Sequence, residues 1–351
     1  MEHGGDLLSY ESYYNGDLID FSSNINPLGT PKGLDGEIIK GYTNLFKYPD
    51  IKYRHLKTSI GKYLKCNIEN TIVGNGAMDI IDNFTIIFPR IIIFSPSFSE
   101  YKNRALVHGK EVIDLNYNED FTIDLNTLER TIKPNDLLIL GNPNNPTGLR
   151  IDKGLLMEVY KIIIEKKGYL LLDEAFYEFA PKDYDSIEIF REFSFENIGI
   201  IRAATKFFAL PGIRLGYACV SENIAKEYEN IAMPWSVNAF ADIAGQFIFK
   251  DIEYIEESKK YIDRERQYLL NELGKIEGIK VFNTHTNYIL IKLLQWNEEY
   301  VFKFFLKRGL IIRKCSSFKL DDYIRIAIKD RENNKRLVKV FEELEASQWK
   351  P

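Results

Sequence analysis

Seven short apolar runs recur between positions 70 and 220, and nothing else in the chain constrains its fold as tightly. They are Thr71-Ile72-Val73, Ile91-Ile92-Ile93-Phe94, Val112-Ile113-Asp114-Leu115, Leu137-Leu138-Ile139-Leu140, Tyr169-Leu170-Leu171-Leu172, Gly199-Ile200-Ile201 and Gly216-Tyr217-Ala218-Cys219-Val220. Longer amphipathic stretches separate them. One of these, 154–167, closes on Lys166-Lys167-Gly168, a helix stop. Near-continuous apolar runs of strand length suit strands buried on both faces. The expected fold class is therefore α/β, with a mostly parallel seven-stranded central sheet covered by helices.

Beyond position 220 the pattern changes. A long charged helical stretch from Val237 to Leu273 reads as a connector. Tyr288-Ile289-Leu290-Ile291, the amphipathic stretch 299–307, Leu310-Ile311-Ile312-Arg313 and Tyr323-Ile324-Arg325-Ile326-Ala327-Ile328 follow, then a closing helix. This predicts a smaller α+β domain, joined by the N-terminal arm. The expected division is 45–245 for the large domain and 1–44 plus 246–351 for the small one. The 351 residues leave room for both, and 45% hydrophobic residues can fill their cores without disulfides.

Bulk properties exclude several classes. A net charge of −5 with interleaved signs argues against nucleic acid or an anionic membrane as partner. Cys66, Cys219 and Cys315 are scattered and form no CxxC pair, so no zinc site or disulfide framework is expected. Met1-Glu2-His3-Gly4-Gly5-Asp6 has neither a basic start nor an apolar core, so no signal peptide is expected and a cytoplasmic location fits. The apolar runs are far too short to span a bilayer.

Polar clusters sit directly after five of the runs: Gly74-Asn75-Gly76, Ser95-Pro96-Ser97-Phe98, Asn142 to Thr147, Asp173, and Lys206. Ligands of open α/β sheets bind at the carboxyl ends of the strands, so these clusters mark a candidate site. The stretch Ala204-Thr205-Lys206 to Arg214-Leu215-Gly216 carries the sharpest chemistry. A lysine can capture the aldehyde of pyridoxal 5'-phosphate as a Schiff base when its ammonium is destabilised. An arginine eight residues on can clamp the phosphate. Asp173 can pair with the pyridine nitrogen and keep the ring an electron sink; alternatively it caps the next element. Gly76 and Ala77 lead from a strand into a helix, whose free N–H groups suit a phosphate; the alternative is a tight turn. GxGxxG and the GK[ST] ending are both missing, so no dinucleotide or P-loop fingerprint is present. The two Asn-Pro steps of Asn142-Pro143-Asn144-Asn145-Pro146 restrict the backbone and would aim the Asn145 amide at a ligand. Phe98 either stacks on a flat ring or belongs to the core. Arg313 and Arg325 either line a solvated strand face or clamp a carboxylate.

Together these motifs resemble the fold-type I pyridoxal phosphate enzymes, in the branch of histidinol-phosphate aminotransferases, over nearly the whole chain. The resemblance implies that Lys206 and Asp173 are catalytic, that Asn145 contacts the ring oxygen, and that Gly76, Ala77, Thr205 and Arg214 hold the phosphate. It also implies that Arg325 grips the substrate carboxylate. Tyr48, in Lys47-Tyr48-Pro49-Asp50, matches a tyrosine that reaches the cofactor phosphate of a neighbouring subunit, which implies a homodimer with shared sites. The segment His3-Gly4-Gly5, the segment Asp20-Phe21-Ser22-Ser23-Asn24-Ile25-Asn26-Pro27 and the motif Asp173-Glu174-Ala175-Phe176 look like the threonine-phosphate decarboxylases of cobalamin biosynthesis. The aminotransferases typically place a tyrosine at Phe176, and phenylalanine cannot donate that hydrogen bond. Ala203 departs from the pattern, standing where relatives often have a hydroxyl near the phosphate.

The expected reaction is decarboxylation of a phosphorylated amino acid, L-threonine O-3-phosphate. His3, Asn24, Ile25 and Arg313 are candidates for the substrate phosphate. An aminotransferase of the histidinol-phosphate type is the alternative, and an inert binding protein on the same scaffold a third.

Overall fold

A computed structural model of the chain describes residues 4–347. Thirteen strands appear among the described residues, in chain order: β1 Ile19–Asp20, β2 Thr71–Asn75, β3 Arg90–Ser95, β4 Glu111–Asn116, β5 Asp136–Gly141, β6 Tyr169–Asp173, β7 Ile198–Ala203, β8 Leu215–Cys219, β9 Ile279–Val281, β10 Tyr288–Leu293, β11 Leu310–Ile311, β12 Arg313–Lys314 and β13 Tyr323–Ala327. Seven of them form the central sheet in the order β2-β8-β7-β6-β5-β3-β4. All its pairings are parallel except those of β8, which runs antiparallel to β2 and β7. The predicted seven-stranded, mostly parallel sheet is present.

Alternation along the strands splits the interior into two layers. Leu138, Leu140, Leu170, Leu172, Ile198 and Ile200 face one side of the sheet. Leu137, Ile139, Leu171 and Ile201 face the other. Helices cover both sides, so each strand must be apolar at successive positions, and that is why the runs read so clearly. One expected run departs from this. β4 is an edge strand and only half-buried, with Glu111 and Asn116 exposed, whereas β2, at the other edge, is buried over 71–74.

One helical expectation also changes. The stretch 237–273 is not one helix. It divides into Ala239–Ile248 and Ile252–Leu273, and Asp251 starts the second by accepting the Tyr254 N–H at 2.9 Å. Amphipathic spacing continues across the break, so periodicity alone hid it. The helix expected over 154–167 is present as Lys153–Lys166, with Lys167 of the expected stop in the left-handed region.

A four-stranded antiparallel sheet, β12-β13-β10-β9, lies towards the C-terminus. The predicted strand over 310–313 is two strands in different sheets. β11 pairs with β1 in parallel, while Arg313 starts β12 and stands opposite Arg325 of β13. The N-terminal segment is therefore stitched to the C-terminal sheet. It is also tied to the lysine loop, because the Asn26 N–H donates to the Lys206 carbonyl at 3.0 Å. Among the described residues no helix is long and apolar enough to cross a membrane.

Candidate active site

Sheet topology gathers the polar clusters at one edge. Gly141 at the end of β5 stands opposite Asp173 at the end of β6, and Asp173 stands opposite Ile201 of β7, five residues before Lys206. The loops that leave these ends line a cleft of about 250 Å³. Of the predicted site residues, Asn24, Ala77, Phe98, Asn145, Asp173, Thr205, Lys206, Arg214, Arg313 and Arg325 line it. Ile25 does not, because its neighbour Asn24 takes the inward position. Tyr48 does not line it either; it is 82% exposed and packed on Trp235 with ring centroids 4.8 Å apart. His3 lies outside the described residues.

Lys206 Nζ has no hydrogen bond or ion pair among the described residues. Burial pushes its ammonium down to about 8, and the Arg325 guanidinium adds to the effect. An amine so placed is far more often neutral, hence nucleophilic, than an ordinary lysine. Asp173 is buried. Tyr101 donates its hydroxyl to Asp173 Oδ2 at 2.7 Å, and the Ala175 N–H donates to Oδ1 at 3.0 Å. Burial raises the Asp173 carboxyl above the usual range, and those two bonds oppose the rise.

Gly76 has φ +80° and opens the helix Ala77–Ile87. A Cβ at Gly76 would collide with the Arg214 guanidinium. A Cβ at Gly216 of β8 would collide with the Gly76 backbone. Two glycines thus let the helix start, the arginine and the antiparallel strand close on one point. The first N–H groups of a helix have no partners within it, so together with Arg214 they form an anion cradle.

The Asn145 Oδ1 accepts from Arg325 Nη1, which leaves its Nδ2 donors for a ligand. Both Asn–Pro peptide bonds of this loop are cis. Arg325 and Arg313 are both buried, 5% and 2% exposed, which settles the alternative of a solvated strand face. Arg325 also donates from Nη2 to the Ser22 carbonyl at 2.9 Å, whereas its Nε is buried without a partner. Arg313 Nη2 donates to Ser317 Oγ at 2.6 Å. Asn24 Oδ1 is likewise buried and unpartnered.

Sequence reading missed Ser22, Tyr101 and Phe318 in the cleft wall. Tyr101 lies 72 residues from Asp173 and carried no local signal. The Asp20-Phe21-Ser22-Ser23 turn did carry one: Asp20 accepts from the Ser22 and Ser23 N–H groups, a turn-forming pattern.

Unpartnered donors, a depressed lysine, a buried carboxylate and a helix-start cradle match an aromatic aldehyde bearing a ring nitrogen, a ring oxygen and a phosphate. Fold and cleft define a class, the enzymes that work with pyridoxal 5'-phosphate. Residues 16–341 match the family model of class I and II aminotransferases, and the chain belongs to that family. A protein of Caldanaerobacter subterraneus subsp. tengcongensis named as a candidate threonine-phosphate decarboxylase is 40% identical over 352 residues, 97% of this chain and 93% of that one. The adenosylcobalamin biosynthesis bifunctional protein of Leptospira interrogans is 33% identical over 359 residues, 97% of this chain but 40% of that one. The crystal structure of the histidinol-phosphate aminotransferase from Clostridium acetobutylicum is 40% identical with a TM-score of 0.89, covering 94% of this chain and 99% of that one.

Proposed function

We propose that the chain decarboxylates L-threonine O-3-phosphate to (R)-1-amino-2-propanol O-2-phosphate, a step of cobalamin biosynthesis. The observation that carries this reading is the pair of buried guanidinium groups, Arg313 and Arg325, which stand opposite each other on β12 and β13 and both open into the lysine's cleft. A substrate with two acid groups, a carboxylate and a phosphate, matches two buried cations. The relative named for threonine phosphate and the one named for adenosylcobalamin biosynthesis support it.

In this mechanism Lys206, Asp173, Asn145, Arg214 and the Ala77 helix start hold the cofactor. The cofactor supplies a sink for the electron pair left at the substrate α-carbon. Arg325 binds the substrate carboxylate through its remaining donors and so fixes which bond at that carbon breaks. Asp173 keeps a proton on the pyridine nitrogen. The carboxylate leaves as CO₂, and Lys206 returns a proton to the α-carbon. Phe176, packed edge-on against Tyr288 at 5.0 Å, offers no proton donor where the aminotransferases typically place a tyrosine.

An aminotransferase acting on histidinol phosphate is the second reading, favoured by the 40% identity to the Clostridium enzyme. Purified protein given threonine phosphate should release CO₂ without consuming a keto acid. Glutamate formation from histidinol phosphate and 2-oxoglutarate, with no CO₂ from threonine phosphate, would establish the second reading instead.

We also propose that two copies share their sites. Phe46, Tyr48, Ile51, Met233 and Trp235 are exposed, and an apolar surface of this kind marks an interface. Tyr48 then reaches the phosphate of the partner's cofactor. Sedimentation should return the mass of two chains, and a single-chain mass would remove the arrangement.

A further inference from the structure

We infer that the buried ion pair of Glu174 and Arg202 is a positioning device for the reaction. It fixes, relative to one another, the three strand ends that carry Asn145, Asp173 and Lys206. The inference rests on the assignment of those three residues to the cofactor.

Glu174 follows Asp173 directly, and Arg202 lies on β7 four residues before Lys206. Neither lines the cleft. Glu174 is fully buried and Arg202 is 2% exposed. Arg202 donates from Nε and Nη2 to Glu174 Oε2, at 3.0 and 2.9 Å. The other oxygen, Oε1, accepts from Asn142 Nδ2 at 3.1 Å and from Ser186 Oγ. Asn142 is the first residue after β5, three before Asn145. One carboxylate, on the residue that follows β6, therefore ties the first residue after β5 to the end of β7.

The main chain is laced at the same level. The Asn142 N–H donates to the Asp173 carbonyl at 2.8 Å, and the Glu174 N–H donates to the Ile201 carbonyl at 2.7 Å. Arg202 is held on its remaining sides: Nη2 also donates to Asp185 Oδ1 at 2.8 Å, and its guanidinium lies 3.4 Å over the Tyr177 ring.

A buried ion pair adds little net stability compared with apolar packing, because both ions lose their hydration. What it supplies is direction, since the planar guanidinium fork fixes distance and angle together. The pair sits where direction matters. Displacement of a reacting group by about 1 Å can cost about a hundredfold in rate. Glu174 and Arg202 act only through their neighbours, so both are positioning residues.

The test compares the parent with Glu174→Gln and Arg202→Lys, each loaded with pyridoxal 5'-phosphate. Three quantities are read: circular dichroism in the cofactor's visible band, kcat and KM on whichever phosphorylated substrate the parent turns over, and the melting temperature. Both variants should lose or reshape the visible dichroic band and lose about ten- to a hundredfold in kcat. KM should stay within about threefold, and far-UV dichroism should match the parent at the assay temperature. Variants that merely melt lower, with parental band and kcat, overturn the inference. If neither variant folds, Ser186→Ala, which removes a single donor to Oε1, is read by the same criteria. A parent with no visible band at all would instead overturn the cofactor-site assignment.

Discussion

Replacing Lys206 with alanine should stop turnover, with kcat lower by at least about a thousandfold, because one amine both holds the cofactor and moves the proton. Borohydride reduction of the loaded parent should fix the cofactor to the peptide that contains residue 206, and the variant should take up no label. A label on any other peptide of the parent would overturn the assignment of Lys206. The same amine sets a pH dependence. Its pKa is depressed to about 8 by burial, with Arg325 adding to the effect, so the neutral, reactive form dominates above that pH. Cofactor capture should accelerate as pH rises through about 8 and then level off. A rate that keeps climbing towards the ordinary lysine value of about 10.4 would mean that the cleft leaves the amine unperturbed.

Asp173→Asn should have the second largest effect. The amide keeps the size of the side chain; its oxygen can still accept the Ala175 N–H, and its NH₂ can donate to the Tyr101 hydroxyl oxygen in place of the bond now accepted at Oδ2, so the fold should survive. The charge is lost. Burial raises this carboxyl above the usual range, a push towards its neutral form that its two hydrogen bonds oppose. A protonated ring nitrogen beside it reverses that preference by giving the carboxylate a cation to pair with. Removing one partner of a buried, hydrogen-bonded charge pair costs about 2–5 kcal/mol. If that loss falls on the transition state, kcat drops by about thirty- to several-thousandfold. A kcat within about threefold of the parent would show that the carboxylate does not face the ring nitrogen.

The central sheet was legible because strands covered on both faces have no polar side to show. β4 departs from this logic: its run carries Asp114 where the others carry no charge, and the finished strand order leaves it half-buried at one edge. The break at 249–251 was hidden because the two flanking helices keep nearly the same amphipathic phase. Within the site, strand ends announced themselves through Gly, Asn, Asp and Lys. Arg313 and Arg325 stayed ambiguous because a polar residue in an alternating strand looks the same whether it meets water or a closed cleft. Tyr101 could not be paired with Asp173, since the contact depends on how β3 and β6 are spaced by β5. Ile25 and Asn24 are adjacent, and only the course of the backbone chooses between them.

The stitching of β1 to β11, and of Asn26 to the lysine loop, has a consequence for biogenesis. Ser22, Lys206 and Arg325 come from widely separated parts of the chain and meet only once residues up to 325 have been made. A nascent chain that already holds its central sheet still lacks one wall of the chamber. The wall that carries Arg325 is thus the last part of the chamber to be completed as the chain is made.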